Sequence, residues 1–392
     1  MGYFDSLQGR AIIKDHKALS FNYVPKVLLH RKPQMTRLFT MFHSVAEEGV
    51  PQNALLRGRV GTGKTALAKR FCIEFKDWAG KNDAAVQFEV VNCRRRASNA
   101  SVLLALVTHF EANFPDRGFS NPEILDSIKK SLVKDRIHYV VVLDEVDVLL
   151  RKAGSDLIYQ LTRFEEESLK GQGSINLILV SQENVLDLMD EASRSTFKPT
   201  SMVVLDRYTR EELRDIVAQR VGLAFAPDTV DGEVIGQVAS IAAETGDARR
   251  AIDLLEKSGM LAEEDGADAV AAEHVRKANA LAYSQLDSGR LDDLDRQRLL
   301  TLLAVARALK RKSSTTTGEA TGYYELACEE FGDKPRGTTQ FWKYIRDLSD
   351  RGIINTERTR SGTEGLTTFI TLTEASAADL EEELARRLGG GE

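Results

Sequence analysis

Cysteine is scarce in this 392-residue chain: Cys72, Cys93 and Cys328 are the only three, and they stand far apart. No metal-ligand spacing or paired disulfide framework can be built from them, which points to a reducing, cytoplasmic setting. Long apolar runs are missing as well. Nothing approaches the ~20 residues a helix needs to cross a bilayer, so no membrane role is expected. The start, Met1-Gly2-Tyr3-Phe4-Asp5-Ser6, lacks the layout of a signal peptide. Gly2 with Ser6 matches a myristoylation pattern, but no basic cluster stands beside it to complete an anchor. Excess positive charge is also absent. A net charge of −6 and a pI near 5.7 exclude a broadly basic nucleic-acid coat, although a local basic face remains open. No internal repeat is evident.

What is present is a chain with 42% hydrophobic and 29% charged residues, enough for two or three cored domains. Its sharpest feature is Gly58-Arg59-Val60-Gly61-Thr62-Gly63-Lys64-Thr65, which fits G-x-x-x-x-G-K-[ST] at every fixed position. Asn53–Leu56 before it reads as a buried strand, and Ala66–Cys72 after it as a helix. Glycines at 58, 61 and 63 let backbone N–H groups turn toward phosphate oxygens, and the helix N-terminus adds positive potential. Lys64 would reach the β- and γ-phosphates of ATP, or the β-phosphate of ADP, and Thr65 would hold Mg²⁺. Further on, Tyr139–Leu143 is an apolar run ending in Asp144-Glu145, as expected of a strand buried on both faces. Asp144 would order the Mg²⁺ shell, and Glu145 would polarise an attacking water as general base. Asp147 reads as a loop or cap residue.

Strands at 54–56, 86–91, 138–143, 175–181 and 202–205, with helices at 123–133 and 157–169 between them, predict an α/β parallel sheet over residues 1–206, after a lead-in to residue 50. Residues 207–285 lose the strand signal. Amphipathic helices at 210–220, 233–244, 248–257 and 271–282, with breaks at Gly222, Gly246 and Gly259, predict a small helical domain. Residues 286–392 read as a long helix (292–310), a polar Ser-Thr run, helices at 323–330 and 338–351, and strands at 353–358 and 368–372. That is the outline of a winged helix, with the tail from Gly389 frayed.

These motifs resemble the AAA+ nucleotide switches and, over roughly residues 10–375, the archaeal origin-recognition initiators, which are similar to the largest origin-recognition subunit and the helicase-loading initiator of eukaryotes. The resemblance implies an α/β AAA+ phosphate-loop domain, a helical lid and a C-terminal winged helix. It implies that Tyr23-Val24-Pro25 with His30-Arg31 folds over the adenine ring. Arg94-Arg95-Arg96, before a helix at 103–110, matches the place of an insertion that touches DNA. The strand ending Ser181-Gln182 should carry the first sensor in Gln182, where the family commonly has Ser-Asn; Asn184 is the alternative. Arg194 matches an arginine finger acting on nucleotide held by another initiator copy. In Gly246-Asp247-Ala248-Arg249, Arg249 matches the second sensor. A cation in a first helical turn opposes the macrodipole, so a phosphate partner explains it better than local stability does.

In the winged helix, Arg336, Thr338, Thr339, Gln340, Lys343, Tyr344 and Arg346 cluster on or before the candidate recognition helix, whose other face offers Phe341, Ile345 and Leu348 to a core. Arg351 and Arg358 lie near a wing with Arg360 and Gly362 at its tip. From Asp333 to Arg360 there are seven Lys/Arg against four Asp/Glu, a locally positive segment in an acidic chain. Helix in the major groove and wing in the minor groove is the docking mode this suggests. The expected activity is that of an ATP-dependent replication initiator with slow, switch-like hydrolysis. It would associate with the nucleoid, bind double-stranded origin DNA and help recruit the minichromosome-maintenance helicase. An ATP-switched transcription regulator, an auxiliary DNA-binding paralogue and a ring-forming remodelling ATPase remain as alternatives. A peptide-threading role is disfavoured, because no aromatic pore-loop signal is present.

Overall fold

The structure, a computed structural model, describes residues 11–163, 173–197, 199–283, 291, 294–310, 312–351, 353–360, 366–372 and 377–389. They fall into two compact units.

The first unit comprises Asn22–Glu212 with Thr245–Ala248. Its strands β1 (Asn53–Gly58), β2 (Val86–Asn92), β3 (His138–Asp144), β4 (Ser174–Ser181) and β5 (Met202–Leu205) form one parallel sheet in the order β2-β3-β4-β1-β5. These are the five strands expected; β5 has the expected bounds and the other four are longer by one to three residues. Every position of β4 is buried, as befits a central strand covered on both faces. Alternate residues serve opposite layers. Val141, Leu143, Leu177 and Leu179 pack into one core, and Val140, Val142, Ile178 and Val180 into the other with Phe42, Phe71 and Phe75.

Helices α1 (Lys32–Glu48), α2 (Lys64–Gly80), α3 (Asn99–Thr108), α4 (Asn121–Asp135), α5 (Val146–Ala153), α6 (Asp156–Thr162) and α7 (Glu191–Ser195) complete this unit. The lead-in to residue 50 therefore contains a helix that sequence reading left unassigned, although Leu38, Phe42 and Val45 mark its buried stripe at helical spacing. Helix α6 starts one residue before the expected position; residues 164–169 of the expected helix at 157–169 lie outside the described residues. Because the strands run parallel, Gly58, Ser181 and Asp144 end neighbouring strands along one edge, where open α/β sheets bind ligands.

The second unit comprises the described parts of Met1–Phe21, Leu213–Glu244 and Arg249–Glu392. Helices α8 (Arg210–Ala224), α9 (Gly232–Ala243), α10 (Ala248–Glu264) and α11 (Ala272–Tyr283) supply its first part. Gly222 and Gly259 are not breaks: both lie inside helices. A Cβ on Gly259 would come within 2.8 Å of Ile13 and of Phe225, so this glycine answers a close packing contact rather than a helix end. Gly246 is a break, with φ 65.

Helix α12 (Arg296–Leu309), strand β6 (Thr315–Thr316), α13 (Thr317–Glu330), α14 (Thr338–Asp350), β7 (Asn355–Arg360), β8 (Leu366–Thr371) and α15 (Ala377–Gly389) follow, with the three strands antiparallel in the order β6-β8-β7. This is a winged helix. The Ser-Thr run is not a plain spacer: Thr316 and Glu319 form a capping box that starts α13 six residues before the expected position. Helix α15, also unanticipated, buries Leu380, Leu384 and Leu388 at i,i+4 spacing. No described helix is long and apolar enough to cross a membrane.

Candidate functional site

The phosphate-loop pattern falls on a strand, turn and helix: β1 ends at Gly58 and α2 begins at Lys64. Gly61 (φ 74) and Gly63 (φ 85) adopt left-handed conformations that L side chains resist. A Cβ on Gly58 would lie 2.6 Å from the Leu205 carbonyl oxygen, and one on Gly61 would lie 1.7 Å from an Asp247 carboxylate oxygen. Thr62 Oγ1 donates to the Arg59 carbonyl at 2.9 Å and closes the turn. Arg59 and Val60 are exposed on the loop, while Ala66 is half-buried in the first turn of α2. Lys64 Nζ donates to the carbonyls of Gly58 and Arg59, each at 2.7 Å. That arrangement holds the ammonium at the loop.

Thr65 Oγ1 donates to Asp144 Oδ2 at 2.8 Å, although 79 positions separate the two residues. Two hard oxygen donors side by side are the donor type that suits Mg²⁺. Glu145 follows with φ 54, ψ 45, a backbone position rare for a residue with a side chain. Its carboxylate forms an ion pair with Arg94. So Arg94, expected at DNA, is engaged with the candidate base; the pairing holds its guanidinium pKa above the usual value. Arg95 is exposed, and Arg96 donates to the Ser101 carbonyl at 3.1 Å. Cys93, beside this carboxylate group, is buried, and burial pushes its thiol up to about 12, which leaves it inert. Asp147, expected in a loop or cap, lies in the first turn of α5 and accepts from Ser181 Oγ at 3.1 Å.

Tyr23 and Val24 are half-buried, Pro25 is buried, and His30 has φ 58. Arg31, expected in the stretch over the adenine ring, is 4% exposed. Its guanidinium is turned onto backbone: Nε and Nη2 donate to the Thr62 carbonyl at 3.2 and 3.1 Å, Nη2 to that of Asp206 at 2.9 Å, and Nη1 to that of His30 at 3.3 Å. The guanidinium carbon lies 3.8 Å from the centre of the Tyr208 ring.

Gln182 is exposed just past β4, while the Asn184 amide donates to Asp187 at 3.1 Å. Arg194 is exposed on α7, a short helix capped by Asp190. Bonds from Ser155 and Ser193 hold the Asp190 carboxyl down at about 2. Arg249 is exposed in the first turn of α10, within the second unit. Sequence reasoning gave no role to Tyr208 or Asp247. Asp247 had a signal in its own motif: Ala248 N donates to the Gly61 carbonyl at 3.1 Å, which fastens Gly246-Asp247-Ala248 to the loop.

In the winged helix, Arg336, Thr338, Thr339, Lys343 and Arg346 are exposed and Gln340 is half-buried. Tyr344 is only 7% exposed and lies under Arg298, whose guanidinium carbon is 5.3 Å from the ring centre. Positions 341, 344, 345 and 348 form the inward stripe, so Tyr344 belongs to the core rather than to the DNA face. Asp347 accepts from Arg298 at 2.6 Å and from Arg351 at 2.9 Å. Arg358 and Arg360 lie on β7 with side chains outside the described residues, and Gly362 lies wholly outside them.

Three domain-family models match the chain: an AAA domain over residues 49–189, a Cdc6 AAA+ ATPase-type lid domain over 214–280 and a CDC6 C-terminal winged helix domain over 289–382. An ORC1-type DNA replication protein of Thermococcus kodakarensis is 30% identical over 373 residues, covering 93% of this chain and 89% of its own length. Another, from Desulfurococcus amylolyticus, is 31% identical over 365 residues, covering 92% and 91%. Among solved structures, Cdc6p of Pyrobaculum aerophilum is similar at a TM-score of 0.80 and 26% identity, covering 97% of this chain and 99% of that one. The Aeropyrum pernix ORC1 protein, solved in complex with DNA, is similar at a TM-score of 0.63 and 29% identity, covering 96% and 97%.

Proposed function

The chain belongs to the ORC1/Cdc6-type family of DNA replication initiators, with an AAA+ domain, and we propose that it binds and slowly hydrolyses ATP while engaging double-stranded origin DNA. The observation that carries this reading is the contact between Thr65 and Asp144 at the end of the glycine loop, with Arg336, Lys343 and Arg346 exposed on or before the recognition helix in the same chain. Lys64 and the loop amides would hold the β- and γ-phosphates. Thr65 and Asp144 would hold Mg²⁺, which when bound neutralises charge on the phosphate oxygens. Glu145 would accept the proton of a water that attacks the γ-phosphorus as the bond to the β–γ bridging oxygen breaks, releasing ADP and phosphate. The Arg94 ion pair supports slow turnover, since the guanidinium stabilises the ionised carboxylate and occupies an oxygen that would take the proton.

Duplex DNA would be met by Arg336, Thr338, Thr339, Lys343 and Arg346, with Arg95 and Arg96 as a second contact. The Aeropyrum relative solved with DNA supports this. Arg249 would report the nucleotide state, Arg194 would reach nucleotide on a second copy, and the minichromosome-maintenance helicase would be the downstream partner. Mapping bound sites across the genome of the source cells tests the reading. Sites that coincide with replication start points are expected. Binding confined to promoters would assign an ATP-switched transcription regulator instead.

A further inference from the structure

We propose that Arg31 is a positioning residue for the phosphate loop, aiming the Gly63 amide at the bound phosphates; this rests on the nucleotide reading above. Arg31 is 4% exposed, and no carboxylate pairs with it among the described residues. A buried cation held by carbonyls and an aromatic ring, with no carboxylate beside it, is costly unless an anion completes its surroundings. Its fork grips the Thr62 carbonyl oxygen with two nitrogens, at 3.2 and 3.1 Å. A trans peptide is planar, with C=O and N–H pointing in opposite directions. Fixing the Thr62 oxygen on Arg31 therefore turns the Gly63 N–H the other way, away from Arg31 and toward the concave side of the loop, where an anion would bind.

The ring of Tyr208 supports the guanidinium at 3.8 Å, and its hydroxyl is 2.9 Å from where a Cβ of Gly63 would stand. Arg31 and Tyr208 thus brace the outer side of the turn at consecutive residues, Thr62 and Gly63. The planar fork matters as much as the charge: a lysine ammonium is a point donor and cannot hold the Thr62, Asp206 and His30 carbonyls together in this stacked geometry.

The test is calorimetric titration of Arg31→Met and Arg31→Lys with three ligands, Mg²⁺·ATP, Mg²⁺·tripolyphosphate and adenosine. Arg31→Met should weaken ATP and tripolyphosphate by a common factor of roughly 10–100, the size expected for losing one well-aimed bond to a charged group, and leave adenosine unchanged. Arg31→Lys should recover less than half of that loss on a logarithmic scale. Full recovery by lysine would reduce the role to charge alone and overturn the proposal. Loss of adenosine binding with tripolyphosphate intact would return Arg31 to the base pocket, and equal loss of all three ligands with a lowered melting temperature would make it a general stability residue. Either result overturns the proposal too. Should Arg31→Met not fold, Tyr208→Leu removes the ring beneath the guanidinium without touching its carbonyl acceptors. The same pattern is then expected at smaller size, and unchanged ATP affinity overturns the proposal. Failure of the unsubstituted protein to bind ATP is a different result, and rejects the nucleotide site itself.

Discussion

The phosphate loop and the recognition helix are built in opposite ways. In the loop the groups aimed at a ligand are mainly backbone, and side chains such as Arg31, Tyr208 and Asp247 brace them from behind. On α14 the backbone bonds beyond the first turn run within the helix, and the exposed positions are the polar side chains of Thr338, Thr339, Lys343, Arg346 and Asp350. A backbone-built site tolerates little change at its glycines but specifies its motif sharply. A side-chain-built face tolerates substitution and specifies only a charge pattern. Single changes in the loop should therefore be drastic, while single changes on the helix should be graded.

The largest effect should come from Glu145→Gln. An amide cannot accept the water's proton, so turnover should fall roughly 10²–10⁴-fold while ATP stays bound, as single-turnover kinetics would show. Unchanged turnover removes Glu145 from the base role. Lys64→Ala should follow, with ATP affinity in calorimetry falling by more than roughly a hundredfold, because the phosphates lose their half-buried charged partner. Gly61→Ala adds a Cβ at φ 74 where Asp247 lies 1.7 Å away. Strain of roughly 1–3 kcal/mol should appear in denaturant unfolding, together with weaker ATP binding; a neutral result would break the contrast from the loop side. Smallest should be Tyr344→Phe. The residue expected to touch DNA is buried, so duplex affinity should change by less than about twofold, the scatter of a surface-neutral substitution. A large loss confined to DNA affinity would restore Tyr344 to the interface.

Legibility in the sequence follows the same divide. The loop and the Asp144-Glu145 strand were readable because glycine conformation, burial on both faces and strand order leave few residue choices. Thr65 and Asp144, far apart in the chain, do meet. The guanidinium of Arg31 lies on the Thr62 and Asp206 carbonyls, which Leu29-His30-Arg31 does not announce, since nothing in those residue types says whether a guanidinium turns toward a base or toward the back of a loop. The Arg94–Glu145 pair was hidden for a related reason: a run of three arginines reads as a phosphate-binding patch until the strand register sets one of them beside a carboxylate. Gly259 was taken for a punctuation mark because its packing partner Ile13 lies far away in sequence. Tyr344 lies on the i, i+3, i+4 stripe with Phe341 and Ile345, so periodicity says more about its burial than residue type does.

Duplex binding through the recognition helix is the central claim, and the salt dependence of that binding tests it most directly. Fluorescence anisotropy with origin and scrambled duplexes across a salt series should show that replacing Arg336 and Lys343 together by Ala lowers affinity. It should also reduce the slope of log affinity against log salt by about two, since each phosphate contact contributes roughly 0.9. An unchanged slope with an unchanged origin preference would show that this helix faces no DNA and would leave the winged helix as a protein-docking module.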